Sequence, residues 1–285
     1  VSESSDICLL SSLSCNFPDR ERLEKAKKEK KDKRQKEISS SPPSSLLLHD
    51  ESHALATSCN LSPFIVPLET VQWVQDALGL IRIKQTLQTL IVHLEEISVG
   101  IDTEWTRIDQ VNCISTIQIA TRQMDKNAHT TWIIDALAFR SSISATSVSC
   151  QDELSEFLMW LFHHTQIVCL VFSFSEDEKL LRHIIPDFSP STSRVLDLQQ
   201  LSISNGIGRA GRFPSLRLVF ERLFQGSTID KSLQRSDWSA RPLHEQQLRY
   251  AAADALVLLL IHDQITASSH SHWIAGQSDD PAPAT

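Results

Sequence analysis

The stretch Ala251-Ala252-Ala253-Asp254-Ala255-Leu256-Val257-Leu258-Leu259-Leu260-Ile261 is apolar around the whole circumference of a helix and holds a single carboxylate. Such a helix is stable only when buried on every side, so the helix expected over 244–265 must lie inside a layered core. Asp254 cannot remain there as a bare charge, and has to be paired, protonated or bound to a metal. Taken alone, a hydrogen bond or an arginine partner would satisfy it. Tyr250, four residues earlier, shares its face of the helix, with β-carbons about 5 to 6 Å apart.

Ahead of that helix the hydrophobic period alternates between helical and extended. Residues 69–94 place Val71, Val74, Leu78, Ile81, Leu87 and Leu90 near helical spacing and predict one helix. Residues 97–102, 114–119 and 131–135 predict three strands in a meander. Residues 154–163, 176–185 and 214–224 predict helices, with strands at 167–172 and 195–198. Strands first in succession and then alternating with helices imply an α/β domain, a mixed sheet flanked by helices. No internal repeat is present.

This patterned segment spans 65–265. Before it, residues 1–64 are rich in Ser and carry the run Glu24 to Arg34, which cannot bury enough apolar surface to offset its ordering entropy. A disordered arm is expected there, the basic run reading either as a nuclear or nucleic-acid tether or as a solvated charged helix. A flexible tail is expected over 266–285. Residues 20–37 hold ten Lys or Arg against five Asp or Glu, a net +5, so the rest of this −8 chain carries −8 − 5 = −13. A body so acidic cannot grip a phosphate backbone by general electrostatics, and cations must help if it handles nucleic acid.

The six cysteines form no C-x-x-C pair and have no zinc-type His spacing, which leaves reduced thiols in an intracellular protein as the expectation. No signal peptide and no membrane span are expected. The chain opens on Val1 rather than Met, the start expected of a piece of a longer product or of an incomplete gene model.

Two further acidic patches stand out. Asp102 and Glu104 lie two apart at the end of an apolar strand, so period two puts both carboxylates on one face, about 7 Å apart along the backbone. An exposed strand end would read the same way. Asp177 opens a helix through Ser175-Glu176-Asp177, where acids ordinarily serve as caps or meet the helix dipole.

The order of the three patches carries a family likeness. Val99-Gly100-Ile101-Asp102-Thr103-Glu104-Trp105 resembles the first motif of the DEDD-type 3′-to-5′ exonucleases, and 115–121 the strand that follows it. Ser175-Glu176-Asp177-Glu178-Lys179-Leu180-Leu181 resembles the second motif. Ser236 to Leu243, followed by Gln247-Leu248-Arg249-Tyr250-Ala251-Ala252-Ala253-Asp254-Ala255, resembles the third, in which Tyr-x-x-x-Asp marks the tyrosine subtype. RNase D, the Werner-type domain and the nibbler or mutator-type exonucleases share this pattern, and the Asp230-Lys231 pair leans toward the nibbler side. Two departures stand against it. Val171-Phe172-Ser173 lacks the glycine usual before the second motif, and Glu178 replaces a hydrophobic residue, so extra side chains could narrow the approach of the terminal nucleotide.

The resemblance implies an RNase H-like mixed sheet flanked by helices on both faces, and a site built from Asp102, Glu104, Asp177 and Asp254. Four ionised carboxylates about 4 Å apart would repel by roughly 4 kcal/mol per pair even at an effective dielectric near 20. Oxygen-only ligands suit two divalent cations, Mg²⁺ or Mn²⁺, which can clamp the attacking and leaving oxygens of an in-line displacement. By analogy Asp102 bridges both ions, Glu104 and Asp254 complete the site of the nucleophilic water, and Asp177 supports the second ion. Tyr250 orients that water and, with an unperturbed pKa near 10, is not its base. The implied activity is hydrolysis from a free 3′ end of single-stranded RNA or DNA, with RNA expected ahead of DNA and no membrane partner.

The same likeness leaves a catalytically weak scaffold that binds RNA or protein as the alternative, against which the retention of all four acids and the tyrosine counts. An endonuclease of the RNase H kind is disfavoured by the Tyr-x-x-x-Asp helix. Trp238 and Arg241 could stack on or pair with substrate, but a structural role before the last helix is expected. Asp135 and Asp197 end strands as Asp102 does and have no motif partner.

Overall fold

The computed structural model of the protein describes residues 61–125, 128–141, 150–189, 194–208 and 212–275. The arm expected over 1–64 lies outside these residues except for its last four, and the expected tail is described as far as 275. Six strands form the central sheet in the order β2-β5-β4-β3-β6-β7: β2 (Val71–Val74), β3 (Ile97–Ile108), β4 (Val111–Arg122), β5 (His129–Asp135), β6 (Ile167–Val171) and β7 (Val195–Asp197). β3, β4 and β5 are the expected antiparallel meander, whereas β2 joins β5, β6 joins β3 and β7 joins β6 in parallel. Asp109 and Gln110 turn β3 into β4, both at positive φ (47° and 67°), as a two-residue hairpin turn requires. A separate parallel pair, β1 (Ser62–Pro63) with β8 (Ser227–Thr228), ties Phe64 near Phe220.

Helices cover both faces of the sheet. On one face α1 (Ala77–Leu94), α2 (Ala136–Ser141), α3 (Cys150–His163) and α4 (Ser175–Leu181) pack over Val99, Ile101, Ile119 and Ile134. On the other face α5 (Leu198–Ser204), α6 (Leu216–Leu223) and α7 (Glu245–Ala275) pack over Ala120, Ile133 and Leu170. Strand alternation divides these residues between two cores, so successive positions such as Ile133 and Ile134 belong to opposite layers.

The single helix expected over 69–94 is corrected. Val71 and Val74 lie in β2, paired with Thr131 and Ile134, and the helix starts only where the Asp76 side chain accepts the Gly79 N–H at 2.8 Å. Leu78 and Ile81 consequently face solvent, while Leu80, Ile83, Leu87 and Leu90 form the buried stripe.

The buried helix predicted at the end of the chain is α7. By length and composition alone its segment Glu245–Ala267 could cross a bilayer, which corrects the expectation that no stretch qualifies. In the fold it is the innermost helix, with Ala251, Ala252, Ala255, Val257 and Ile261 fully shut from solvent. A β-carbon built at Gly100 of β3 would strike the Ala255 carbonyl oxygen, so glycine is required where helix and strand backbones meet. That close approach sets Asp254 against Asp102.

Candidate active site

Asp102 and Glu104 leave β3 on the face turned toward α7, as period two predicts, and Asp254 meets them from the helix. One carboxylate oxygen from each of the three lies within 4.8 Å of the others. Glu104 is 7% exposed and Asp254 3%, so charge repulsion here is weakly screened. Burial, with Asp102 and Asp254 beside it, pushes Glu104 up to about 10. Burial and the Asp254 and Asp177 charges raise Asp102 well above the ordinary carboxylate range. Burial also raises Asp254, although Lys231 pulls it the other way.

Asp177 lines the same cleft without joining the cluster of three. Phe174 precedes α4 with no side-chain cap, and Asp177 in the first turn serves both the helix end, through its own N–H, and the site. Its Oδ1 accepts hydrogen bonds from the Thr103 hydroxyl and from Trp105 Nε1, the latter at 3.0 Å. Two residues of the first motif thus hold the acid of the second. Burial raises the Asp177 carboxyl, and these two bonds lower it.

Tyr250 sits one turn before Asp254, 6% exposed, and its hydroxyl lies beside the Asp254 carboxylate without making a well-aligned hydrogen bond among the described residues. Burial and the neighbouring carboxylates raise its pKa above that of a free phenol. A buried O–H without a well-aligned partner at the wall of a cleft is costly unless a ligand or water completes it. All five residues expected at the site therefore line one cleft.

Three functional contacts were not foreseen. Lys231, in the loop after β8, places Nζ 2.7 Å from Asp254 Oδ2 and 5.3 Å from the centre of the Tyr250 ring. Asp197 and Asp135, which have no motif partner in the sequence, each hold a segment next to or within a motif. Asp197, at the end of β7, accepts the Ser173 and Phe174 N–H groups and so holds the turn before Asp177. Asp135, at the end of β5, takes Arg241 in a two-point pair at 2.8 and 2.7 Å. Arg241 also donates to the Trp238, Ala240 and Ser115 carbonyls, and Trp238 is buried beside Tyr250 with ring centres 5.9 Å apart. The structural role expected of both is what they have. A strand-end aspartate opposite each motif loop was the available signal, but its partner is visible only in three dimensions.

Of the departing residues before and after the second motif, Phe172 and Ser173 face the cleft, Val171 is core, and Glu178 turns away to pair with Arg182 at 2.6 Å. Glu178 therefore does not narrow the cleft.

The donor set is oxygen only, converges from three elements and carries up to four negative charges, which fits hard divalent cations and offers nothing soft for zinc. The family model for 3′-5′ exonuclease matches residues 73–268. An exonuclease mut-7 homolog of Aedes aegypti is 37% identical over 122 residues, which is 37% of this chain and 16% of that protein. Ribonuclease D of Escherichia coli (strain K12) is 43% identical over 107 residues, 37% of this chain and 27% of that protein. The solved Nibbler EXO domain of Aedes aegypti is similar in structure with a TM-score of 0.54 at 25% identity, covering 70% of this chain and 88% of that one. The chain thus spans less than a third of the length of either curated relative.

Proposed function

The chain belongs to the 3′-5′ exonuclease family, and from that premise we propose that it hydrolyses the terminal phosphodiester at the 3′ end of single-stranded nucleic acid, RNA ahead of DNA, with divalent metal ions. The observation that carries this reading is the convergence of Asp102, Glu104 and Asp254 within 4.8 Å, in a cleft that also holds the Tyr250 hydroxyl beside Asp254. Preference for RNA is supported by the name ribonuclease D of one relative. An intracellular setting accords with Cys113 and Cys169, both buried and unbridged.

Two divalent cations, Mg²⁺ or Mn²⁺, would supply Lewis-acid charge to the attacking and leaving oxygens. Asp102, Glu104 and Asp254 would hold the first, and Asp177 with Asp102 the second. Tyr250 donates its hydroxyl to the attacking water and stays protonated throughout, since its pKa is raised. Water adds to the last phosphorus, the bond to the 3′ oxygen breaks, that oxygen takes a proton, and a nucleoside monophosphate leaves.

Matched RNA and DNA oligonucleotides labelled at the 5′ end, incubated with Mg²⁺ or Mn²⁺, should give a ladder of products shortened from the 3′ end, faster on RNA. Undiminished cleavage in EDTA, or release of label in a single short product, would overturn the reading.

A further inference from the structure

Lys231 brings a protein cation into the carboxylate cluster itself. Its Nζ contacts Asp254 Oδ2 at 2.7 Å, and Asp254 is one of the three acids whose oxygens lie within 4.8 Å of each other. The loop that carries it is fastened from within: Asp230 accepts the Ser232 N–H at 2.8 Å and the Ser232 hydroxyl at 2.9 Å. The Lys231 ammonium lies over the Tyr250 ring, whose face favours a cation. Lys231 is thereby aimed at Asp254 rather than drifting across it. Its side chain nevertheless keeps 24% of its surface open to the cleft, against 4% for Asp254, so the ammonium can swing outward while the carboxylate cannot follow.

We propose that Lys231 is a built-in counter-cation, which holds Asp254 while the site is free of metal and must give up that bond when a divalent ion is taken there. The inference rests on the metal-dependent reading above. A divalent ion bound to Asp254 and an ammonium on the same carboxylate would repel each other across a poorly screened site, so the two compete for one carboxylate. The lysine thus lowers metal affinity and protects the empty site from its own charge. With flexible single-point donors, an ammonium is suited to leaving.

The test is Mn²⁺ binding without nucleic acid, followed by electron paramagnetic resonance, on the wild type, Lys231→Met and Lys231→Arg. Loss of a charge-assisted bond that competes with the ion should tighten binding by about tenfold in Lys231→Met. Its melting temperature in EDTA should fall, while Lys231→Arg should stay near the wild type in both. On the unaltered protein, labelling of Lys231 by an amine-reactive reagent, read by mass spectrometry, should rise several-fold when Mg²⁺ is added. This second readout stands even where Lys231→Met fails to fold. Equal or weaker Mn²⁺ binding by Lys231→Met, or Lys231 labelling unchanged by Mg²⁺, overturns the inference alone. A wild type that binds no Mn²⁺ overturns the metal-dependent reading and the inference with it.

Discussion

Asp197 Oδ1 accepts the backbone N–H of Ser173 at 3.0 Å, and Ser173 stands at φ 57°, in the left-handed region. The other oxygen takes the Phe174 N–H at 3.2 Å, so a carboxylate from the last strand of the sheet braces the turn that leads to Asp177. A left-handed residue with a β-carbon costs about 1 to 2 kcal/mol, and glycine's extra freedom in the unfolded chain returns about 0.5 to 1 kcal/mol of that. Ser173→Gly should therefore stabilise the domain by roughly 0.5 to 1 kcal/mol. Asp197→Ala strands the N–H groups of Ser173 and Phe174 and that of Gln199, which it caps at the start of α5, and should destabilise the domain by about 3 kcal/mol. Urea unfolding of both variants in EDTA checks the pair, and a destabilised Ser173→Gly would refute the strain argument.

Asp102→Asn and Asp254→Asn should each abolish cleavage without unfolding the chain. Their metal-free stabilities should differ. Asp102 is surrounded by like charge, so its neutralisation should raise the melting temperature in EDTA. Asp254 is bonded to Lys231, so Asp254→Asn also gives up an ion pair and should gain less. An Asp254→Asn protein more stable than Asp102→Asn would contradict this arrangement.

The raised carboxyls predict an inverted pH dependence. The carboxyls of Asp102, Glu104, Asp177 and Asp254 bind protons more readily in the metal-free native state than in the unfolded chain, Asp254 held back from this by Lys231. Where the native state binds more protons, stability falls as pH rises. The loss should begin near the unfolded carboxylate values of about 4 and continue toward the value of about 10 reached by Glu104. Melting curves in EDTA between pH 5 and 9, taken as about the accessible part of that window, should shift steadily downward. Saturating Mg²⁺ should flatten the slope, because the ion replaces the protons. A flat profile in EDTA would show that the cluster is not charged against itself.

Tyr250→Phe removes only the hydroxyl and keeps the ring beneath Lys231 and beside Trp238. Removal of a donor acting directly on developing charge costs roughly 2.7 to 4 kcal/mol, or 10²- to 10³-fold in turnover. A smaller loss is expected here, since metal ions would carry most of that charge, and substrate binding should hardly change. The fold should tolerate the variant, because the Asp254 carboxylate beside the lost hydroxyl keeps its bond to Lys231. Single-turnover cleavage and oligonucleotide binding measured together decide the matter: equal losses in both would remove the orienting role.

The parts of the site legible in the sequence are those joined by local geometry. Asp102 and Glu104 share a strand face because side chains alternate, and Tyr250 and Asp254 share a helix face because they lie four apart. The unbroken apolar circumference around Asp254 announced that its helix must be central, whatever the rest of the fold. Tertiary structure decided what no period encodes. Val71 and Val74 sit at helical spacing from Leu78, yet they join the sheet because Thr131 to Ile134 offers them an open edge far along the chain. Lys231 meets Asp254, Asp197 meets Ser173 and Arg241 meets Asp135 across separations of 23, 24 and 106 residues. Such pairs form because packing puts each buried charge or N–H group within reach of partners that are set by how layers stack, not by spacing along the chain.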